Sequence, residues 1–497
     1  MPRLHQVPVA AMDIHRFASV ISPQEYDALL ELIDDSSRTL RGRVIWNVNS
    51  TATGGGVAEL LVPLLGYSRG IDVDARWVVI SGAADFFALT KRLHNRLHGF
   101  DGDGGPLALQ EHMAYEDTLE GNAAELTRLV SPRDIVILHD PQTAGLVRAM
   151  KATGATVIWR CHVGLDVPNR ATRQAWDFLR PYVVDADAYV FSRPSFAWEG
   201  LERDKITVIH PSIDVFSPKN ADQSHEQRLS ILARAGIVPH RSSVDPAFTR
   251  SDGTAGRVGR DARMLQASPL TPSDRLVAQI SRWDSLKDPI GVLHGFERHV
   301  SEHTDVHLVL AGPSTDSVAD DPEGAAVYAA VCDVWRALPA DVRTRVHLAS
   351  LPMTDTEENA AIVNALQRHA DVVVQKSLAE GFGLTVAEAM WKQRPVVASR
   401  IGGIQDQIVD GESGILISDP TDLREFGTAV AQLLAEPERA QRIGRAARAR
   451  VSHHFLGPRH LGHYFELIQG LVAANDLRDA AASTRPSPSP QLEVSPT

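Results

Sequence analysis

The sequence has few cysteines and no long apolar run, and each absence excludes a class of protein. Only Cys161 and Cys332 occur among 497 residues, so neither a disulfide framework nor a four-cysteine zinc site can form. No apolar run is long enough to span a bilayer, and the first residues lack the basic start and apolar stretch of a signal peptide. We therefore expect a cytoplasmic protein that does not act at a membrane.

Positive charge is also in the minority. The chain has 50 Lys and Arg against 62 Asp and Glu, which gives a formal net charge of −12. So acidic a chain is a poor partner for nucleic acid, and a bound phosphate would need a local cationic site. The length is typical of two or three domains with sizeable cores. Nucleic acid is therefore not an expected partner.

Short β-branched runs alternate with helical segments along most of the chain. This pattern predicts an α/β protein with two doubly wound, Rossmann-like sheets. The predicted strands cover residues 44–48, 77–80, 135–138, 156–159, 189–192, 207–210, 275–281, 306–310, 346–349, 372–374, 395–398 and 414–417.

The same pattern suggests where the domains begin and end. We expect an N-terminal Rossmann-like domain over residues 1–215 and a C-terminal one over 216–454. A helix over 455–476 is expected to pack back on the first domain, and the Pro/Ser-rich tail over 477–497 is expected to be disordered. Ser, Asp, Gly and Arg dominate an insertion at about 240–265, which we expect to be irregular.

A strand, a glycine loop and a helix start follow one another within residues 372–393. The free N–H groups and the positive dipole end of a helix that starts at Leu384 favour an anion. Glu380 and Glu388 would repel phosphate, but ionised carboxylates accept hydrogen bonds from sugar hydroxyls. The segment therefore indicates a nucleotide sugar, with two solvated glutamates as the alternative.

A basic strand-to-helix loop follows the strand at 275–281. Arg282 and Lys287 could hold a diphosphate there, one as a planar fork and the other as a point charge. Asp288 is a natural N-cap residue and Pro289 a natural first helical residue. The alternative is a solvated basic pair.

Three further segments follow strand ends of the N-terminal half, where doubly wound sheets bind ligands. Glycines 54–56 would let the backbone approach a ligand closely, although neither a G-x-G-x-x-G fingerprint nor a P-loop lysine is present. A tight turn is the alternative for these glycines, and a structural role is the alternative for a lone histidine. The candidates on this rim are Asn49, Gly55, Gly56, Asp140, Gln142 and His162.

The run E-G-F-G-L-T-V-A-E resembles the E-x7-E signature of family 4 retaining glycosyltransferases, which have the two-domain GT-B fold. The resemblance implies that Glu380 binds donor-sugar hydroxyls and that Glu388 binds the ribose of the nucleotide. It further implies that Arg282 and Lys287 neutralise the leaving diphosphate. The backbone amides implied to approach the sugar and diphosphate are those of Gly381, Phe382, Gly383 and Leu384.

Longer stretches resemble the trehalose synthases within that family. They are W-N-V-N-S-T-A-T-G-G-G-V-A-E-L, F-F-A-L-T-K-R-L-H-N-R-L-H-G, L-H-D-P-Q and S-R-W-D-S-L-K-D-P. This resemblance implies transfer of glucose, with retention, from a nucleotide diphosphate-glucose to free glucose, forming trehalose. The implied catalytic group is Arg282, Lys287, Glu380 and His162, with His162 lining the sugar site and not acting as a base. Gly55 and Gly56 are assigned to the donor, and Asn49, Asp140 and Gln142 to the acceptor.

Two other functions stay open at this point. A retaining trehalose phosphorylase would use phosphate in place of the nucleotide diphosphate, and a sugar-nucleotide sensor would keep the cleft without turnover. We expect no tightly bound cofactor and no metal ligands. A divalent cation as a stimulant and a homodimer as the assembly both remain open.

Overall fold

A computed structural model describes residues 4–52, 55–315 and 322–483. Gly54 of the predicted glycine loop lies outside these ranges, and so does the predicted tail from residue 484 onward. Within the described ranges no helix is both long and apolar enough to cross a membrane.

The N-terminal half folds around a seven-stranded sheet. Its strands are β1 (His5–Val7), β2 (Val44–Asn49), β3 (Asp74–Val79), β4 (Ile135–His139), β5 (Thr156–Cys161), β6 (Ala188–Phe191) and β7 (Ile206–Val208). Its helices are α1 (Pro23–Thr39), α2 (Gly56–Gly70), α3 (Ala84–Leu97), α4 (Leu109–Leu126), α5 (Asp140–Thr143), α6 (Val147–Ala152) and α7 (Arg170–Val183). Short 3-10 helices lie at Ile14–Ser19, Ala144–Leu146, Pro194–Phe196 and Arg203–Lys205.

The C-terminal half repeats this plan. Its strands are β8 (Ala247–Thr249), β9 (Ala255–Arg257), β10 (Arg263–Leu265), β11 (Leu276–Ile280), β12 (His307–Pro313), β13 (Val346–Leu351), β14 (Val372–Gln375), β15 (Val396–Ser399) and β16 (Ile415–Ile417). Its helices are α8 (His225–Arg234), α9 (Pro289–His299), α10 (Pro322–Ala337), α11 (Ala340–Arg343), α12 (Thr356–His369), α13 (Leu384–Trp391), α14 (Ile404–Gln407), α15 (Leu423–Ala435), α16 (Pro437–His454) and α17 (Gly457–Ser483), with a 3-10 turn at Ser285–Lys287.

Both sheets are doubly wound. The strand orders are β1-β3-β2-β4-β5-β6-β7 and β10-β13-β12-β11-β14-β15-β16. In these two sheets the outer strands β1 and β10 pair antiparallel, and the other neighbouring strands pair parallel. Each of the twelve predicted strands overlaps an observed parallel strand, so the predicted α/β class with two Rossmann-like sheets is confirmed. The strand order reverses beside β2 in the first sheet and beside β11 in the second. The crevice at such a reversal is where these folds bind ligands.

Hydrophobic burial explains why the strands were recognisable. Every residue of β4, β5, β11 and β14 is buried, because helices cover both faces of a parallel sheet.

Local sequence rules also determine where helices start. Ser22 and Glu25 form a capping box in front of α1, with Pro23 at the first helical position.

The insertion at 240–265 was expected to be irregular, and this expectation is wrong for much of it. Strands β8 and β9 form a hairpin, and β10 adds an antiparallel edge strand to the second sheet. The polar composition reflects ion pairs with α12. Arg250 contacts Asp355 at 2.6 Å and Glu357 at 3.0 Å, while Glu358 accepts hydrogen bonds from the N–H groups of residues 259 and 260 at 2.6 and 2.8 Å.

Replacing Glu358 with glutamine should lower the free energy of unfolding by about 1–3 kcal/mol, because the buried carboxylate accepts charge-assisted bonds. Its side chain is 1% exposed and also pairs with Arg260. Denaturant unfolding measures the loss. The control is Asp261→Asn, whose exposed carboxylate pairs with Arg234 at 2.8 Å and should contribute less than about 1 kcal/mol. Equal effects of the two variants would contradict a buried anchoring role for Glu358.

The last helix lies on the N-terminal half and runs past the predicted end at residue 476. Residues 477–483, predicted to belong to a disordered tail, are helical. α17 packs against α1 and α2. Near its end, Arg43 contacts both carboxylate oxygens of Asp476 at 3.0 Å, and Asn475 donates to Thr156 Oγ1 at 2.9 Å. The chain therefore returns to its first domain after completing the second.

Candidate active site

Two loops meet at the reversal point of the second sheet. One follows β11 and carries Lys287, and the other follows β14 and carries Glu380. Lys287 Nζ and Glu380 Oε2 form an ion pair between these loops, with side chains only 17% and 11% exposed. The predicted helix start is also confirmed, since Asp288 accepts from Gly291 N at 3.0 Å and Pro289 opens α9.

Arg282 lies at the outer side of the same loop, with its side chain 48% exposed. Its Nη2 is 3.2 Å from Asp284 Oδ2, and Asp284 caps the following turn by accepting from Leu286 N. Burial would raise the pKa of Asp284, but the charge of Arg282, the Leu286 N–H and the charge of Lys287 together hold it below its usual value. The loop thus keeps two cations beside an ionised carboxylate.

The glycine loop ends at the N-terminus of α13. Gly383 has φ +86° as the N-cap of α13, a left-handed conformation that glycine adopts without strain. Phe382 turns its ring inward, 5.6 Å from the ring of Phe455. Leu384 is the first residue of α13 and is half-buried. The loop therefore offers main-chain N–H groups and the positive helix end rather than the Phe382 side chain.

Glu388 is buried rather than solvated, which removes that alternative for this residue. Its side chain is 3% exposed, its Oε1 lies 3.2 Å from Lys219 Nζ, and its Oε2 has no hydrogen-bond partner. Lys219 also contacts Glu59 on α2 at 2.9 Å. Burial alone would lower the pKa of Lys219, but the charges of Glu388 and Glu59 raise it above its ordinary value. A buried, partnerless carboxylate oxygen is suited to accept a hydroxyl hydrogen.

His162 belongs to a row of neutral imidazoles on the first sheet. His139 contacts Asn47 Oδ1 at 3.0 Å through Nε2 and His162 Nε2 at 3.1 Å through Nδ1. Because the carbonyl oxygen of Asn47 accepts from His139, His139 Nδ1 is the acceptor for His162 Nε2–H. Burial lowers the pKa of His139 to about 3 and that of His162 well below its usual value. His162 is then a neutral ring with an accepting Nδ1.

The three other rim residues differ in their surroundings. Asp140 supports His162, accepting its backbone N–H at 2.7 Å, and burial raises the pKa of Asp140 to about 6. The side-chain amide of Asn49 is already hydrogen-bonded within its own domain. It accepts from Trp77 Nε1 at 2.8 Å and donates to Thr51 O at 2.7 Å. Gln142 lies half-buried on α5 beside Asp140.

The rims of the two domains approach each other closely. A Cβ on Gly381 would lie 2.9 Å from His162 O. A Cβ on Gly56 would lie 3.7 Å from Leu384 Cδ1, and Gly55 is the N-cap residue of α2. The glycine segments of the two domains thus face each other across one cleft.

Two histidines that were not singled out from the sequence also belong to this cleft. His94 lies on α3 and His98 is the C-cap residue of that helix, one turn later. Their ring centroids are 4.8 Å apart, and each has a buried Nδ1 without a partner. Burial lowers the pKa of His98 to about 4, with the charge of Glu380 acting against this shift. Their i, i+4 spacing places them on one helix face, which is the signal that could have identified them. No three potential metal-ligating side chains cluster anywhere in the described ranges.

This arrangement of two facing Rossmann-like domains is the GT-B glycosyltransferase fold. A solved α,α-trehalose-phosphate synthase (UDP-forming) from Burkholderia xenovorans, in complex with glucose-6-phosphate, aligns with a TM-score of 0.63 at 14% identity, covering 87% of this chain and 100% of that one. A sucrose-phosphate synthase from Thermosynechococcus elongatus aligns with a TM-score of 0.59 at 15% identity and covers 87% and 100% of the two chains.

Sequence comparisons identify a narrower family than the fold does. Residues 47–198 match the family described as trehalose synthase, N-terminal domain, and residues 350–450 match glycosyl transferases group 1. The chain is 36% identical to a trehalose synthase of Rubrobacter xylanophilus, over 92% of this chain and 96% of the relative. It is 33% identical to one of Pyrococcus horikoshii, over 92% and 95%. A trehalose phosphorylase of Grifola frondosa is 24% identical over 88% of this chain and 58% of its own length. The chain belongs to the trehalose synthase family and is a glycosyltransferase.

Proposed function

We propose that the protein transfers glucose from a nucleotide diphosphate-glucose to free glucose, with retention at the anomeric carbon, and so forms trehalose. The observation that carries this proposal is the pairing of two loops at the reversal point of the second sheet. One loop supplies the cations Arg282 and Lys287, and the other supplies Glu380 and the N-terminus of α13. Cations and helix N–H groups suit a diphosphate, while carboxylates suit hydroxyls.

Each part of the proposed donor would contact one of these groups. The diphosphate would lie between the basic loop and the backbone N–H groups at Gly383 and Leu384. Glu388 would accept a hydrogen bond from a ribose hydroxyl through Oε2, which has no partner in the structure. Its Oε1 would keep the contact with Lys219. Glu380 would exchange part of its contact with Lys287 for the hydroxyls of the transferred glucose. No tightly bound cofactor is needed for these contacts.

The proposed chemistry is departure of the diphosphate followed by attack from the same face. The bond between the anomeric carbon and the phosphate oxygen breaks, and its electron pair leaves on the phosphate, stabilised by Arg282 and Lys287. An acceptor hydroxyl then bonds to the anomeric carbon, and its proton passes to the departing phosphate oxygen. His162 would accept a hydrogen bond from a sugar hydroxyl through Nδ1 and so hold the reactants in place.

The acceptor side favours an uncharged sugar. The groups that the first domain brings toward Glu380 include His162 and His98, and burial lowers the pKa of both, that of His98 to about 4. Neutral imidazoles bind hydroxyls, whereas a sugar phosphate calls for arginine or lysine. Free glucose is therefore the proposed acceptor.

The direct test is incubation with UDP-, ADP- or GDP-glucose and free glucose, followed by sugar chromatography and assay of released nucleotide. The expected product is a non-reducing α,α-linked disaccharide formed together with nucleotide diphosphate. Parallel reactions contain glucose-6-phosphate as acceptor, trehalose with phosphate, or maltose alone. A product from any of these in place of the expected reaction would overturn the proposal, and nucleotide binding without any product would favour a sensor. An added chelator tests for metal stimulation, and sedimentation tests for a homodimer.

A further inference from the structure

Two side chains of the first domain hold a segment of the second. Asp166 Oδ2 accepts from Gly402 N and from Gln405 Nε2, both at 2.8 Å. Arg193 Nη1 donates to Gly402 O at 2.6 Å, and its Nε lies 3.3 Å from Asp406 Oδ2. We call Asp166, Arg193 and residues 402–406 the clamp. It joins the loops after β5 and β6 to the loop after β15.

The clamp is built from partly buried, charge-assisted contacts. Arg193 Nη1 and Asp166 Oδ1 are 2.5 Å apart, and their side chains are 12% and 29% exposed. Ser195 Oγ donates to the same carboxylate at 3.1 Å. Bonds to charged partners at this depth are worth more than exposed surface pairs. The contact between the domains is therefore specific at this point.

The segment that the clamp holds supports the glycine loop. Gly403 N donates to Gly381 O at 3.0 Å, and Gln407 Nε2 donates to Phe382 O at 2.5 Å. Gly402 has φ +46°, and a Cβ there would lie 1.8 Å from Glu380 O. The backbone of residues 380–383 thus rests directly on residues 402–407. A shift of the held segment would move the loop that carries Glu380.

The clamp also lies beside His162. The loop that contains Asp166 begins at the end of β5, and His162 O is the atom that approaches Gly381. Clamp, glycine loop and His162 therefore form one continuous contact between the two domains.

We propose that Asp166 and Arg193 are positioning residues, which close the cleft and set the loop carrying Glu380 in the geometry needed for transfer. This role rests on the proposed function, because transfer is what the positioned loop would serve. The two residues act through the 402–406 segment and not on the sugar itself. A misplaced loop lowers the rate of the chemical step even when binding groups remain.

The test compares Asp166→Ala and Arg193→Ala with Ser195→Ala, which removes a bond to the same carboxylate but none across the cleft. For the first two variants, kcat should fall about 10- to 100-fold, the size expected for lost charge-assisted bonds. Affinity for the nucleotide diphosphate, measured by calorimetry, should fall by clearly less than kcat does, since Glu388, Arg282 and Lys287 remain even where the N–H groups at Gly383 and Leu384 shift. Small-angle scattering of the ligand-free protein should give a larger radius of gyration for these two variants. Ser195→Ala should match the wild type in all three measurements.

Unchanged kcat, or an unchanged radius of gyration, in folded Asp166→Ala and Arg193→Ala would overturn the proposal. So would a loss of nucleotide affinity as large as the loss of kcat. If either variant fails to fold, Asp166→Asn and Gln405→Ala provide milder versions, to which the same criteria apply. The scattering comparison does not need turnover. A wild type that transfers no glucose would therefore defeat the proposed function, and the scattering would still decide whether the clamp closes the cleft.

Discussion

Replacing Lys287 with alanine should lower kcat for the proposed transfer by about 100- to 1,000-fold, comparable to removing one preorganised donor from a developing negative charge. Lys287 is part of a strand-to-helix loop at the reversal point of the second sheet, and its Nζ contacts Glu380. The charge it would stabilise grows as the diphosphate leaves, so the effect should be larger on kcat than on donor KM. Steady-state assay of released nucleotide measures both.

Lys205→Ala is the matched control. Lys205 pairs with Glu202 at 2.8 Å on the surface of the first domain, a contact of the kind that contributes little. Its kcat should equal that of the wild type. A Lys287→Ala variant with near-normal kcat and an unchanged melting temperature would remove Lys287 from the proposed catalytic group.

The sequence was informative wherever short-range rules decide the structure. Buried parallel strands appear as runs of β-branched residues, so the strands around β11 and β14 could be located. Asp288 and Pro289 follow capping rules that act within one turn. A loop after a strand in a doubly wound sheet lies at the ligand edge, and Lys287 and Glu380 lie on two such loops. That they act together was implied by the family resemblance.

Long-range contacts explain what the sequence could not reveal. From the sequence alone, Glu388 could have been solvated. Its buried carboxylate is paired with Lys219, which precedes it by 169 residues. The side-chain amide of Asn49 accepts a hydrogen bond from Trp77 on a neighbouring strand. The order in the 240–265 insertion depends on acidic residues of α12 about a hundred positions later. Such pairings leave no periodic pattern, because each partner alone resembles an ordinary surface residue.

The roles of the two signature glutamates should separate in a comparison of their glutamine variants. Glu388→Gln should weaken nucleotide diphosphate binding about tenfold, because a neutral amide is a weaker acceptor for a hydroxyl than a carboxylate is. Its kcat should change less. Glu380→Gln should do the reverse, lowering kcat about 10- to 100-fold with little change in nucleotide affinity, because its proposed partners are the hydroxyls of the transferred glucose. Calorimetry with the nucleotide and steady-state kinetics measure the two effects.

The structure adds a control for the Glu388 variant. Glu388 also pairs with Lys219, which in turn contacts Glu59 on the first domain, so lost affinity could come from a disturbed domain contact. Glu59→Gln weakens that contact at its exposed end and leaves Glu388 intact. If Glu388 binds ribose, Glu59→Gln should keep nucleotide affinity within about twofold of the wild type, since a half-exposed ion pair contributes little. An affinity loss in Glu59→Gln equal to that in Glu388→Gln would instead assign both residues to holding the domains together.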